Sequence, residues 1–145
     1  MASSSKILFA GLFGILYILS GITMILSSAL PGIAALTAPY LVPPDPVAGG
    51  VLCIVGAVFL FAYRELSQGT TEGHAFLYVG MALAVVFGSV ALLSRGAQGA
   101  EILIFEEGGE WSPIQLAVPM LWLALLPALG LLTWGRHFIN DLFGA

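Results

Sequence analysis

Four long stretches without Asp, Glu, Lys or Arg constrain the fold of this chain more than any other feature. They cover residues 7–30, 47–63, 75–93 and 114–134, and all twelve charged residues lie outside them. A hydrocarbon core about 30 Å thick is crossed by about 20 helical residues. Backbone amides in lipid must find their hydrogen-bond partners within the segment, so each stretch is predicted to be a transmembrane α-helix.

The composition predicts the same class of protein. Hydrophobic residues make up 59% of the 145 residues and charged residues 8%, whereas about 25% of the residues in soluble domains are charged. The net charge of −4 provides no basic surface for nucleic acid, and the single cysteine excludes an intramolecular disulfide. We therefore predict an all-α integral membrane protein, a single domain over residues 1–145 that forms an up-down-up-down bundle of four helices in the lipid bilayer.

The basic residues predict the orientation of this multi-pass protein. Lys6, Arg64 and Arg136 flank the spans on one side, and Arg95 alone follows a span on the other side. Cytoplasmic loops are enriched in Lys and Arg, so the N and C termini are predicted to be cytoplasmic in the cell membrane. Residues 31–46 and 94–112 are then the outer loops. The first apolar stretch is longer than the roughly 7–15 residues of a signal peptide, which favours a retained anchor.

Small residues recur at helical spacing within the predicted spans. In lipid, helices associate closely where small side chains allow their backbones to approach. We predict that helix packing uses eight such positions: Gly14, Gly21, Gly49, Cys53, Ala57, Gly80, Ala84 and Gly88. Packing within the chain is the favoured interpretation. The alternative is that one of these stripes binds another membrane subunit or a second copy of the chain.

The second outer loop is acidic. Its four carboxylates belong to Glu101, Glu106, Glu107 and Glu110. Clustered carboxylates suit a hard cation such as Ca²⁺, which prefers several oxygen ligands. The EF-hand spacing is absent, so a solvated acidic rim is the favoured interpretation, with a cation site or a surface for a partner as the alternatives.

Residues suited to catalysis are scarce. No ionisable residue lies within a predicted span, which argues against a proton-driven transporter with its own carboxylate relay. His74 and His137 fall at the inner ends of their spans, where they suggest a bis-histidine haem or, with Glu65 and Glu72, a metal site. A buried haem usually has its ligands deeper in the span, so histidines that cap helix ends are favoured. No metal, cofactor or catalytic residue is predicted.

Three functions remain open from the sequence. The leading hypothesis is a non-catalytic accessory or scaffold subunit of a larger membrane complex, and an enzyme is not favoured. The first alternative is a small homo-oligomeric channel or facilitative transporter. Its path would be lined by four residues of the first span: Tyr17, Ser20, Thr23 and Ser27. A haem- or quinone-binding membrane enzyme that uses His74 and His137 is the third hypothesis.

Overall fold

The computed structural model describes residues 4–40, 44–105 and 119–143, which are almost wholly helical. In chain order the elements are α1 (Ser4–Ala29), α2 (Pro31–Thr37), a 3-10 turn (Ala38–Tyr40), α3 (Pro46–Ser67), α4 (Glu72–Phe105) and α5 (Pro119–Phe143). The all-α class predicted from the sequence is confirmed.

Proline and a capping carboxylate fix where α3 begins. Pro46 occupies its first turn, where the amide hydrogen that proline lacks has no helical partner. Asp45 precedes it in an extended conformation, and its Oδ1 accepts hydrogen bonds from the amides of Val47 and Ala48, both at 3.0 Å. The carboxylate thereby satisfies two amides that the helix leaves unpaired.

A tight turn joins α3 to α4. Gly69 adopts φ +75°, which a residue without a Cβ accepts at little cost, and its amide donates to the carbonyl oxygen of Leu66 at 3.1 Å. The Thr70 hydroxyl donates to Oε2 of Glu65 at 2.9 Å. The chain therefore reverses within four residues, and the two helices run antiparallel with Gly73 against Leu66.

The most extensive helix contact joins α1 to α3. A Cβ atom added at Gly21 would lie 2.5 Å from the carbonyl oxygen of Gly49, and one added at Gly49 would lie 2.7 Å from the carbonyl oxygen of Gly21. Further along, a Cβ atom added at Gly56 would lie 2.9 Å from the carbonyl oxygen of Gly14. The two backbones therefore touch at two levels, with the helices antiparallel.

Side chains fill the contacts between the other long helices. On α4, Gly80 faces the ring of Phe59, and the Sδ atom of Met81 would lie 2.9 Å from a Cβ atom added at Gly130 of α5. The rings of Phe9 and Trp134 meet edge to face with centroids 5.4 Å apart, which joins the start of α1 to the end of α5. Each long helix is thus antiparallel to the next along the chain.

Three of the described helices, α1, α3 and α4, are long and apolar enough to cross a membrane. This finding supports the predicted membrane protein. Residues 114–118 of the fourth predicted span lie outside the described residues, and α5 begins at Pro119. The fourth span, and with it the bundle of four transmembrane helices, therefore stays a prediction at this point.

The structure corrects the predicted outer loops. Residues 94–105 continue α4 as far as Phe105, and residues 31–40 form α2 and the 3-10 turn. Arg95 and Glu101 end the apolar stretch, but charged residues do not end a helix, and no proline occurs between Pro46 and Pro113. The loop assignment failed because it took the end of hydrophobicity for the end of the helix.

Two adjacent glycines test the contact between α1 and α3. We expect Gly49→Ala to destabilise the protein by about 1–3 kcal/mol, because the added methyl group overlaps the backbone of α1. Gly50→Ala is the matched control, since a Cβ atom there meets nothing within 4 Å and alanine favours a helix. Unfolding of both variants in detergent measures the difference, and equal midpoints would contradict this packing.

Candidate functional site

The predicted packing residues lie in different contacts. Gly14, Gly21, Gly49 and Cys53 lie between α1 and α3, where the Cys53 thiol is 4.0 Å from the carbonyl oxygen of Ile18. Ala57 is half-buried beside Ile18. The three predicted positions on α4, Gly80, Ala84 and Gly88, are buried.

Sequence reasoning missed three further close contacts, made by Gly56, Gly73 and Gly130. Gly56 follows Gly49 by seven residues, the spacing that separates Gly14 from Gly21 on the facing helix. Matching these two intervals would have identified Gly56 as a contact. Gly73 and Gly130 follow no such interval, so their contacts depend on the turn after α3 and on the position of α5.

Three hydroxyl groups of α1, those of Thr23, Ser27 and Ser28, donate to nearby backbone carbonyl oxygens. Thr23 donates to the carbonyl oxygen of Leu19 at 2.7 Å, and Ser27 donates to that of Thr23 at 2.6 Å. Ser27 also lies 3.1 Å from the Thr37 hydroxyl, which ties α2 to α1. Thr23 and Ser27, with Ser20 and Tyr17, were the predicted lining of a channel, and none of these four residues lines the cavity described below.

Tyr17 differs from the other polar residues of α1. Its side chain is 1% exposed and packs against Phe13 and Phe59, with ring centroids 6.4 and 5.7 Å away. Its hydroxyl oxygen is buried and has no hydrogen-bond partner among the described residues. By contrast, the Tyr78 hydroxyl donates to the Trp134 carbonyl oxygen at 3.0 Å.

The histidines lie on different helices. His74 is half-buried near the start of α4, and His137 is exposed near the end of α5. Glu65, a proposed co-ligand, already accepts a hydrogen bond from Thr70. Within the part of the chain that the structure describes, no group of three or more His, Cys, Asp or Glu side chains is placed to hold a metal ion.

The acidic cluster is only partly described. Glu101 is exposed on α4, whereas Glu106, Glu107 and Glu110 lie outside the described residues. The predicted loop of carboxylates therefore begins on a helix. The binding of a cation or a partner by this acidic cluster stays a prediction.

The end of α4 exposes three consecutive large apolar side chains. Residues 94–105, here called the α4 extension, follow the last residue of the predicted span. Leu103, Ile104 and Phe105 at its end are 66%, 72% and 79% exposed. Large apolar side chains grouped in this way are typical of a surface that another molecule covers.

A cavity of about 470 Å³ lies between α1, α3 and α4, at the end of the protein where α3 begins. Met24, Val51 and Phe87 contribute to its apolar wall, and Asp45 and Arg95 to its polar side. The other polar residues that line it are Ser94 and Gln98. We call it the Arg95 cavity.

These features define an all-α integral membrane protein whose long helices pack through glycine contacts. The chain belongs to the family of the MJ0565 integral membrane domain, whose model matches residues 3–136. No curated protein and no solved structure matches the chain. The family establishes the membrane class and leaves the function to be argued from the residues.

The two buried tyrosines give opposite predictions. Tyr17→Phe removes a buried hydroxyl that has no partner in the described part of the chain, so we expect the free energy of unfolding to rise by about 1 kcal/mol. Tyr78→Phe removes the hydrogen bond to Trp134, so we expect the free energy of unfolding to fall by a similar amount. Unfolding in detergent measures both. Destabilisation by Tyr17→Phe would mean that the hydroxyl has a partner, such as a bound water.

Proposed function

We propose that this protein is a non-catalytic accessory subunit of a membrane complex and that the α4 extension binds the partner. The proposal has two parts. The first is an up-down-up-down bundle in which α5 is the fourth span. The second is the role of the α4 extension, whose exposed apolar end is the observation that carries the proposal.

The distribution of apolar residues supports α5 as a span. Leu123 and Pro127 are buried against the other helices, while Leu125, Leu129 and Leu132 are exposed. A helix that is apolar on both its inner and its outer face suits a lipid environment. The uncharged stretch 114–134 also has the length that a crossing needs.

The positions of the charged residues support cytoplasmic termini. Lys6 lies over the ring of Trp134, with Nζ 5.8 Å from the centroid, so the start of α1 adjoins the end of α5, near Arg136. Arg64 lies in the last turn of α3, which is antiparallel to α1. Three of the four basic side chains therefore belong to one end of the protein, which the positive-inside rule assigns to the cytoplasm.

The length of α4 supports an extension beyond the hydrocarbon core. Its 34 residues correspond to about 51 Å, against a core of about 30 Å. Even at a tilt of about 40°, the upper end of the usual range, the helix would span about 39 Å along the membrane normal. Tilt therefore does not absorb the excess length, and the charged residues Arg95 and Glu101 favour the α4 extension as the part outside.

The packing of the interior supports an accessory role over a channel. The aromatic side chains of Phe13, Tyr17 and Phe59 pack together between α1 and α3, and the hydroxyls of Thr23 and Ser27 bond to backbone. A conduction path needs polar groups that face open space. The exposed side chains of Leu103, Ile104 and Phe105 instead suit an apolar surface on another subunit.

Photo-crosslinking tests the partner surface. With a benzophenone amino acid at Ile104, in the membranes of cells that naturally make the protein, we expect a product that contains a second, different polypeptide. The control places the same probe at Leu12, which is exposed in the middle of α1. Adding Leu103→Glu and Phe105→Glu should abolish the Ile104 product while leaving membrane insertion intact. Products made only of copies of this chain would contradict the proposal and favour a homo-oligomeric channel.

A further inference from the structure

We infer that the Arg95 cavity binds a zwitterionic phospholipid whose head ends in a primary ammonium group, as in phosphatidylethanolamine. Arg95 contacts the phosphate, Asp45 contacts the ammonium group, and an acyl chain lies along the apolar wall. The cavity includes the first part of the α4 extension, through Ser94, Arg95 and Gln98, but the inference requires no partner subunit and so does not rest on the proposed accessory role.

The polarity of the cavity changes along the helix axes. On α4 the lining runs from Phe87 to Arg95 and ends at Gln98, about 16 Å along the helix from the first to the last. On the α3 side it runs from Val51 back to Asp45, the residue that caps the start of the helix. Both helices therefore present apolar groups in the middle of the protein and charged groups at its end. A phospholipid has the same order along the membrane normal.

The charges at the cavity suit a lipid headgroup that has both a positive and a negative charge. Among the described residues, Arg95 forms no hydrogen bond or ion pair, and it lies more than 4.0 Å from the carboxylate of Asp45. Asp45 uses Oδ1 to cap α3, and Oδ2 has no partner in the described part of the chain. Facing helices thus hold one guanidinium group and one carboxylate that form no ion pair with each other. A head with only a negative charge would satisfy Arg95 but be repelled by Asp45.

The carboxylate favours a primary ammonium group over choline. An ammonium group donates N–H hydrogen bonds to a carboxylate, and such charge-assisted bonds are stronger than neutral ones. A quaternary amine has no N–H to donate, and Phe87 is the one aromatic residue among those that line the cavity, whereas quaternary amines are bound in cages of several aromatic rings. The apolar wall of Met24 and Val51 adds a requirement for an acyl chain.

The full-length chain, freed of lipid in detergent, tests the inference. Native mass spectrometry would measure the binding of phosphatidylethanolamine, phosphatidylglycerol and phosphatidylcholine with identical acyl chains. We expect one phosphatidylethanolamine per chain, bound about tenfold more tightly than either of the others. Equal or tighter binding of phosphatidylglycerol would overturn the inference.

Three variants separate the charge effect from a loss of structure. Asp45→Asn preserves the helix cap, because asparagine caps as well as aspartate. We expect it to weaken phosphatidylethanolamine binding about tenfold and to strengthen phosphatidylglycerol binding, so that the preference between the two lipids reverses. Arg95→Gln should weaken the binding of both lipids. Arg136→Gln, at the other end of the protein, is the control and should bind as the unmodified chain does.

The preference is a ratio measured within each variant, so partial unfolding does not imitate a reversal. An unchanged ratio in Asp45→Asn would overturn the assignment of the ammonium group to Asp45. Free phosphoethanolamine distinguishes a lipid from a soluble ligand, because it has both charges but no acyl chain. We expect it not to displace the lipid at equal concentration. Full displacement would show that the cavity takes a soluble zwitterion and would overturn the lipid assignment.

Discussion

The backbone contact between α1 and α3 is the interaction on which the rest of the structure depends. In lipid, apolar side chains gain little by leaving their surroundings, so helices associate through close packing. Gly21 and Gly49 bring the two backbones together so closely that neither position accepts a Cβ atom, and Gly14 and Gly56 repeat the arrangement at a second level. This contact fixes α3 against α1, and Phe59 of α3 packs against both Tyr17 of α1 and Gly80 of α4.

The unequal lengths of α3 and α4 account for both features to which we assign a function. α3 begins at Pro46, where the proline and the capping carboxylate of Asp45 set its start, while the antiparallel α4 continues to Phe105 without an intervening proline. At this step in length the cavity lies between α1, α3 and α4. The α4 extension begins at the cavity, which Ser94 and Arg95 line, and continues to Phe105. A single difference between neighbouring helices therefore produces both a candidate lipid site and a candidate partner surface.

The membrane class followed from the sequence because it depends on composition alone. Helix ends were harder to predict, since Arg95 ends the apolar stretch without ending the helix, and Leu103 and Phe105 lie on a helix instead of in a loop. The candidate sites were the hardest feature to predict from the sequence. Asp45 and Arg95 lie 50 residues apart in the sequence, and only the antiparallel packing of α3 and α4 brings them to one cavity. The burial of the Tyr17 hydroxyl, which has no hydrogen-bond partner among the described residues, likewise depends on which side chains surround it.

The most direct test of the central contact is the distance between α1 and α3 in a lipid bilayer. Solid-state NMR with isotope labels at Gly21 and Gly49 would measure the separation of the Gly21 Cα atom and the Gly49 carbonyl carbon. The structure predicts about 5 Å or less, given the position of the Gly49 carbonyl oxygen. A separation beyond about 8 Å, near the usual distance between helix axes, would show that the two backbones do not touch and would contradict the account.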